Sequence, residues 1–191
     1  RFDISKINFD LLRREFAKSK EKNLILRDIQ DLLQERIACM MAENPSRINF
    51  YEKYQKIIQE YNKEQDRASI EKTFEELTKL SNELSEEEKR YVREGFTSDE
   101  ELSVYDLLFS DNLNARDIKK IKEVAKDLLK KIKDKIAELD HWTDKPETKA
   151  EVDNLIRDTL WAELPESYDN QSISLYRQKI YEYVCMRYPA A

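Results

Sequence analysis

The chain has 191 residues, of which 39% are charged and only one is glycine, and its formal net charge is −6. Sheets need turns with positive φ, and phosphate-binding loops need glycine where the backbone approaches the ligand, so a single glycine argues against doubly wound nucleotide-binding folds. The acidic balance argues against a typical nucleic-acid-binding domain, although it leaves room for a local basic face.

The first half of the chain predicts four amphipathic helices. Apolar residues recur at spacings of three and four over about Ile7 to Lys20, Asn23 to Ala42, Ile48 to Asn62, and a fourth segment from Ile70 to Leu84. Asn44-Pro45 should end the second helix, because the residue before a proline is driven out of the helical region. The third helix carries several tyrosines on one face, which we expect to be packed.

Two capping patterns follow. Ser85 and Glu88 have the spacing of a capping box, which predicts a new helix starting at Glu86. Gly95 should end that helix in the left-handed conformation. Thr97 or Ser98, with a glutamate three residues further on, repeats the pattern and predicts a helix that runs to the region of residue 109.

The run from Asn114 to Trp142 predicts the central helix of the fold. Six aliphatic residues form one stripe, Asn114 is placed to cap the first turn, and Lys135 occupies a position where the spacing calls for an aliphatic side chain. Neighbouring apolar residues widen the stripe, so this helix should be covered from more than one side.

The remaining chain predicts two more helices, one with Pro146 in its first turn and one from about Gln171 to Arg187. We therefore expect an all-α bundle of about eight or nine helices without a sheet. Short loops favour one continuous domain over residues 1–191, with a softer joint near residues 62–69. Because the chain starts at Arg1 and not at a methionine, we interpret it as a piece of a longer polypeptide.

No grouping of residues predicts catalysis. The paired carboxylates should lie in first helical turns, and His141 is the only histidine, without companions at metal-ligand spacing. A hydrolase elbow of the Gly-x-Ser-x-Gly type is absent, and no strand is predicted that could present a nuclease site. Cys39 and Cys185 are interpreted as buried thiols. We predict no catalytic, cofactor or metal residue here, and a soluble, cytoplasmic protein with no membrane contact, because no apolar stretch is long enough to cross a bilayer.

Two surfaces are candidates for function. The first is a row of lysines at helical spacing on the central helix, which could follow a DNA backbone, although interleaved carboxylates also fit a solvated face. These residues, called the lysine row below, are Lys119, Lys122, Lys126, Lys130 and Lys133. The second mixes tyrosine and arginine, residue types that anchor protein interfaces, on the last helix. Its members are Tyr176, Arg177, Tyr181, Tyr183, Arg187 and Tyr188. Ordinary packing is an equal alternative for them.

Four stretches in a fixed order resemble a known family. They are NPSRINFYEKYQKIIQEYN (44–62), LSEEEKRYVREGFTSDEELSVYDLL (84–108), RDIKKIKEVAKDLL (116–129) and HWTDKPETKAEVDNLIRDTLWAELP (141–165). The order of these pieces is similar to that in the helical C-terminal domain of type I restriction enzyme R subunits. None of the pieces is a catalytic signature.

The resemblance implies a parent protein that is an ATP-dependent, site-specific deoxyribonuclease, with an endonuclease domain and two motor domains that use ATP and Mg²⁺ to translocate DNA. It implies that this chain takes part in restriction-modification as an assembly module that follows the motor domains and docks the R subunit onto the M and S subunits of the methyltransferase. The alternative is a DNA-contacting accessory of the motor that uses the lysine row on the 115–139 helix.

Overall fold

The computed structural model describes residues 8–64 and 66–189. Within these residues the backbone forms nine α-helices and no strand, which confirms the predicted all-α class. The helices are α1 (Phe9–Lys18), α2 (Lys22–Glu43), α3 (Ile48–Lys63), α4 (Arg67–Glu88), α5 (Arg90–Arg93), α6 (Asp99–Leu108), α7 (Ala115–Glu138), α8 (Pro146–Glu163) and α9 (Asn170–Arg187), with a 3-10 turn at Pro45–Arg47.

The chain divides into two compact units. The first unit contains residues 1–42 and 47–90, and the second contains residues 43–46 and 91–191. The chain therefore passes from one unit to the other three times. The segment at residues 62–69, expected to be a softer joint, lies inside the first unit, between α3 and α4. Whether the two units together make the single domain expected from the sequence stays a prediction.

The first unit is a helical bundle with a core of leucine, isoleucine and aromatic side chains. The Phe16 ring of α1 stacks on Phe74 of α4 with centroids 4.1 Å apart. The tyrosine face of α3 is packed as predicted: Tyr54 and Tyr61 are buried, and their hydroxyls donate to the Gln30 carbonyl and the Asn23 side chain at 3.2 and 2.9 Å. Each buried phenol thus keeps a hydrogen-bond partner.

The predicted helix start at Ser85 is wrong, because α4 continues through this residue to Glu88. The Ser85 hydroxyl donates to the Ser81 carbonyl one turn earlier and accepts from Arg36 of α2. Glu87, two residues beyond Ser85, is also buried, where it accepts from Arg47, so packing continues past the capping signal. The carboxylates of Glu86 and Glu87 consequently lie in the last turn of a helix, where the sequence had placed them in a first turn.

The second unit is built from α6, α7, α8 and α9, arranged so that each helix packs against two others: α6 and α8 flank α7, and α9 closes the bundle against α8 and α6. The stripe of α7 forms the centre of its core, with Ile121, Ala125, Leu128 and Ile132 completely buried. Asn114 caps α7 as predicted, by accepting from the Asp117 amide. Lys135, the exception in the stripe, is half-buried and pairs with Glu151 of α8 at 2.8 Å.

Side-chain burial corrects one further prediction. Cys39 is exposed on α2 and not buried, since it lies off the stripe that carries Leu33, Ile37 and Met40. Cys185 is half-buried and packs against the core of the second unit. None of the helices in the described ranges is both long enough and apolar enough to cross a lipid bilayer.

Candidate functional site

The lysine row lies on α7, and its middle members are engaged by the turn that precedes α6. The Lys122 ammonium donates to the Glu94 carboxylate at 2.7 Å and to the Glu94 carbonyl at 3.0 Å, and it lies 5.9 and 5.6 Å from the ring centroids of Phe96 and Tyr105. Lys126 donates to the carbonyl of Gly95 at 2.8 Å. The ammonium groups of Lys122 and Lys126 therefore hold residues 94–96 in place. Their contacts with the neighbouring aromatic rings add cation–π stabilisation.

This turn has the hydrogen bonds of a Schellman motif. The Phe96 amide donates to the Tyr91 carbonyl and the Gly95 amide to the Val92 carbonyl, while Gly95 takes φ +81°. The prediction that Gly95 ends a helix is confirmed. Ser98 then caps α6 by accepting from the Glu101 amide, and Glu101 reaches back to the Thr97 amide at 2.8 Å, which confirms the predicted capping pattern.

Lys133, the last member of the row, belongs to a second cluster, centred on Glu100 of α6. The Glu100 carboxylate forms an ion pair with Lys133 of α7 and lies 3.8 Å from the Arg187 guanidinium of α9. Burial alone would raise the pKa of the Glu100 carboxyl, but the hydrogen bond from Lys133, the nearby Tyr188 hydroxyl and the charges of Lys133 and Arg187 lower it below its ordinary value. The cluster thus ties three helices of the second unit together.

Lys119 and Lys130 are exposed. The groove beside Lys130 is lined by lysines and by carboxylates in similar number, among them Glu123, Asp127 and Asp134. A phosphate backbone in this groove would meet carboxylates as well as lysines. Three of the five lysines of the row, moreover, already bind carboxylates or carbonyls of the second unit. The geometry therefore favours a structural role for the row, and its role in DNA contact stays a prediction.

The tyrosine and arginine residues of α9 are mostly engaged inside the second unit. Tyr183 is buried, and the Tyr176 ring packs against Tyr168 with centroids 5.3 Å apart. Arg177 pairs with Asp153 of α8 at 3.2 Å. Burial, together with a contact to Cys185, raises the pKa of Tyr181 to about 12.

The end of α9 is fixed in the same way. The indole N–H of Trp142 donates to the Tyr188 carbonyl at 2.7 Å, and Arg187 faces Glu100. Most of this set is therefore engaged within the second unit, although the Arg177 Nε and the Tyr183 and Tyr188 hydroxyls are buried without a hydrogen-bond partner among the described residues. The role of this set at an interface stays a prediction.

The outer faces of α8 and α9 carry apolar side chains that the sequence patterns did not single out. Trp161, Leu175 and Met186 are 53%, 51% and 52% exposed. Leu175 and Met186 are eleven residues, about three turns, apart and so share one side of α9. A signal was present: Trp161 comes nine residues after Val152, which at 100° per residue places it on the opposite side of α8 from that buried position.

No three or more histidine, cysteine, aspartate or glutamate side chains among the described residues are grouped so that they could hold a metal ion. His141, exposed in the loop after α7 with φ +45°, lies 3.6 and 3.8 Å from the carboxylates of Asp140 and Asp144.

The described residues form an all-α fold in which several charged side chains pair across helices. A family model described as type I restriction enzyme HindI endonuclease subunit-like, C-terminal, matches residues 1–184. The chain therefore belongs to this family of C-terminal domains of type I restriction endonuclease subunits, as its sequence resemblance indicated. A search of the curated proteins found no significant match. A search of the solved structures found none either.

Proposed function

We propose that this chain is a non-catalytic assembly module that docks a type I restriction endonuclease subunit onto its methyltransferase core of M and S subunits. The observation that carries the proposal is the family match over residues 1–184, which assigns the chain to the C-terminal part of such a subunit. In this proposal ATP, Mg²⁺ and DNA cleavage belong to other segments of the same polypeptide.

The surface of the second unit supports the proposal. An exposed tryptophan is costly to leave in water and is the residue type most enriched among interface hot spots. Trp161 on α8, and the pair Leu175 and Met186 on α9, offer such contact area on two adjacent helices. The lysine row, by contrast, is largely engaged within the unit.

The proposal is tested by sedimentation of the complete endonuclease subunit with the purified methyltransferase complex. Trp161→Ala is expected to weaken assembly by tenfold or more, about 1.4 kcal/mol, because truncation removes a hot-spot side chain. The matched control is Leu24→Ala, which truncates a similarly exposed side chain of the first unit and should leave assembly unchanged. Both variants should keep the unfolding midpoint of the parent, since both side chains are exposed. Unchanged assembly of Trp161→Ala would remove this residue from the interface.

A further inference from the structure

Residues 43–46, here called the strap, connect α2 to α3 of the first unit but belong to the second unit. We propose that the strap is an integral structural part of the second unit and couples the two units, so that they unfold as one cooperative system. This inference does not depend on the proposed function.

The strap is held by α6. The Asn44 side chain is completely buried, and its amide donates to the Asp106 carboxylate at 2.8 Å. The Ser103 hydroxyl, also completely buried, donates to the Glu43 carbonyl at 3.1 Å. Ser103 and Asp106 are three residues apart and therefore lie on one face of α6. Two hydrogen bonds from one helix face thus fix two successive residues of the strap.

The strap is also shaped from within. The Asn44 side-chain oxygen accepts from the Ser46 amide at 3.1 Å, an Asx turn that leads into the 3-10 turn at Pro45–Arg47. Pro45 fixes its own φ and restricts Asn44 to extended conformations. The local sequence therefore presents the Asn44 amide in the geometry that Asp106 accepts.

Both ends of the strap are anchored in the first unit. Arg47 directly follows the strap; its guanidinium donates to Glu87 at 3.1 Å and to the Met40 carbonyl at 3.5 Å, so it joins the chain before the strap to the chain after it. Arg90, at the third passage between units, donates to the same Glu87 carboxylate at 2.8 and 3.0 Å. Because the chain on both sides of the strap is held in the first unit, release of the strap from α6 should also disturb that unit.

The chain offers one signal for the second unit and one for both units together. Its two tryptophans, Trp142 and Trp161, both belong to the second unit, whereas far-ultraviolet circular dichroism reports the helices of both units. In a Trp161→Phe background the emission comes from the buried Trp142 alone. Thermal unfolding of the full chain is then followed with both signals in the same sample.

In this background the two unfolding curves should coincide. Asn44→Ala should lower both midpoints together by about 3–8 °C, because it removes a buried hydrogen bond from the second unit. The matched control, Asn82→Ala, replaces an exposed asparagine of α4 and should change either midpoint by no more than about 1 °C. In a double-mutant cycle with Asp106→Ala, the effects of Asn44→Ala should be non-additive.

Separate transitions in the background protein, or an Asn44→Ala variant whose fluorescence midpoint stays in place, would overturn the proposal. If Asn44→Ala does not fold, Ser103→Ala decides in its place, since it removes the bond to the Glu43 carbonyl at the other strap residue, together with a bond to the Asp99 carbonyl within α6. A joint shift of both unfolding midpoints in Ser103→Ala supports the proposed coupling by the strap, and an unchanged fluorescence midpoint refutes it.

Discussion

Arg47 shows that the contribution of an arginine to stability depends on how deeply its charge is buried. Its guanidinium is 2% exposed and shares the Glu87 carboxylate with Arg90, inside the first unit. Arg67 also pairs with a glutamate, Glu71, but its side chain is 86% exposed. Removal of one member of a buried network leaves the others desolvated, whereas an exposed pair exchanges its contact for water.

Arg47→Ala should therefore lower the free energy of unfolding by roughly 3 kcal/mol. The matched change, Arg67→Ala, should lower it by about 0.5 kcal/mol or less. Urea unfolding followed by circular dichroism measures both. Equal costs for the two variants would mean that the Arg47 network contributes no more than a surface ion pair.

Glu100 makes stability depend on pH. Its pKa is lowered in the folded chain, so its carboxylate stabilises the fold above the unfolded pKa of about 4.3, and this contribution is lost as the pH falls through the folded pKa. Glu100→Gln should lower the urea midpoint at pH 7, and the difference from the parent should shrink steadily below pH 4.

The control for this pH series is Glu166→Gln, which changes an exposed glutamate in the loop before α9. Its urea midpoint should follow that of the parent at every pH. A Glu100→Gln difference that stays constant from pH 7 to pH 3 would contradict the assigned role of the cluster.

At the scale of elements, each unit contains one strongly charged helix, acidic in the first unit and basic in the second. α4 carries seven acidic and three basic residues, and its carboxylates receive Arg13 of α1, Arg36 of α2 and Lys53 of α3. α7 carries nine basic and five acidic residues, and its lysines reach the turn before α6, α6 itself and α8. Each unit thus has one strongly charged helix whose side chains pair with residues of neighbouring elements.

Gly95 tests the turn that these lysines hold. Its φ of +81° is costly for any residue with a Cβ, and a Cβ at this position would meet no atom within 4 Å, so the cost of substitution comes from the backbone alone. Gly95→Ala should destabilise the chain by about 1–2 kcal/mol. Gly95→Asn should cost less, because asparagine tolerates the left-handed region better. Tryptophan fluorescence during urea unfolding measures both, and an alanine variant as stable as the parent would contradict the conformational explanation.

Helix positions were largely predictable because each depends on a local pattern. The α7 stripe, its Asn114 cap and the Gly95 terminus are set by residues close in sequence, and the structure has all three. Ser85 shows the limit: its capping signal is local, but Arg36, 49 residues away, takes up the hydroxyl, and the helix continues. Partners distant in sequence could not be read from spacing.

The same limit applies to the candidate surfaces. The lysine row was visible as a pattern, but its contacts with Glu94, Gly95 and Glu100 join residues about thirty positions apart. The tyrosines of α9 were predicted as interface residues from their residue type. Residue type alone does not separate the buried Tyr183 from an exposed side chain such as Trp161. Exposure, which only packing determines, makes that distinction.

At the scale of the whole molecule, two compact units share one chain that passes between them three times. The family match covers residues of both units, so both belong to the C-terminal domain of the endonuclease subunit. In the proposed function the two units contribute no reacting group and act by attachment.

The most direct measurement compares the complete endonuclease subunit with a version that lacks this chain, each sedimented with the methyltransferase complex at increasing concentration. We predict that the complete subunit co-sediments with the complex and that the shortened subunit, shown to be folded by circular dichroism, does not. Co-sedimentation of the shortened subunit with undiminished affinity would contradict the assembly role.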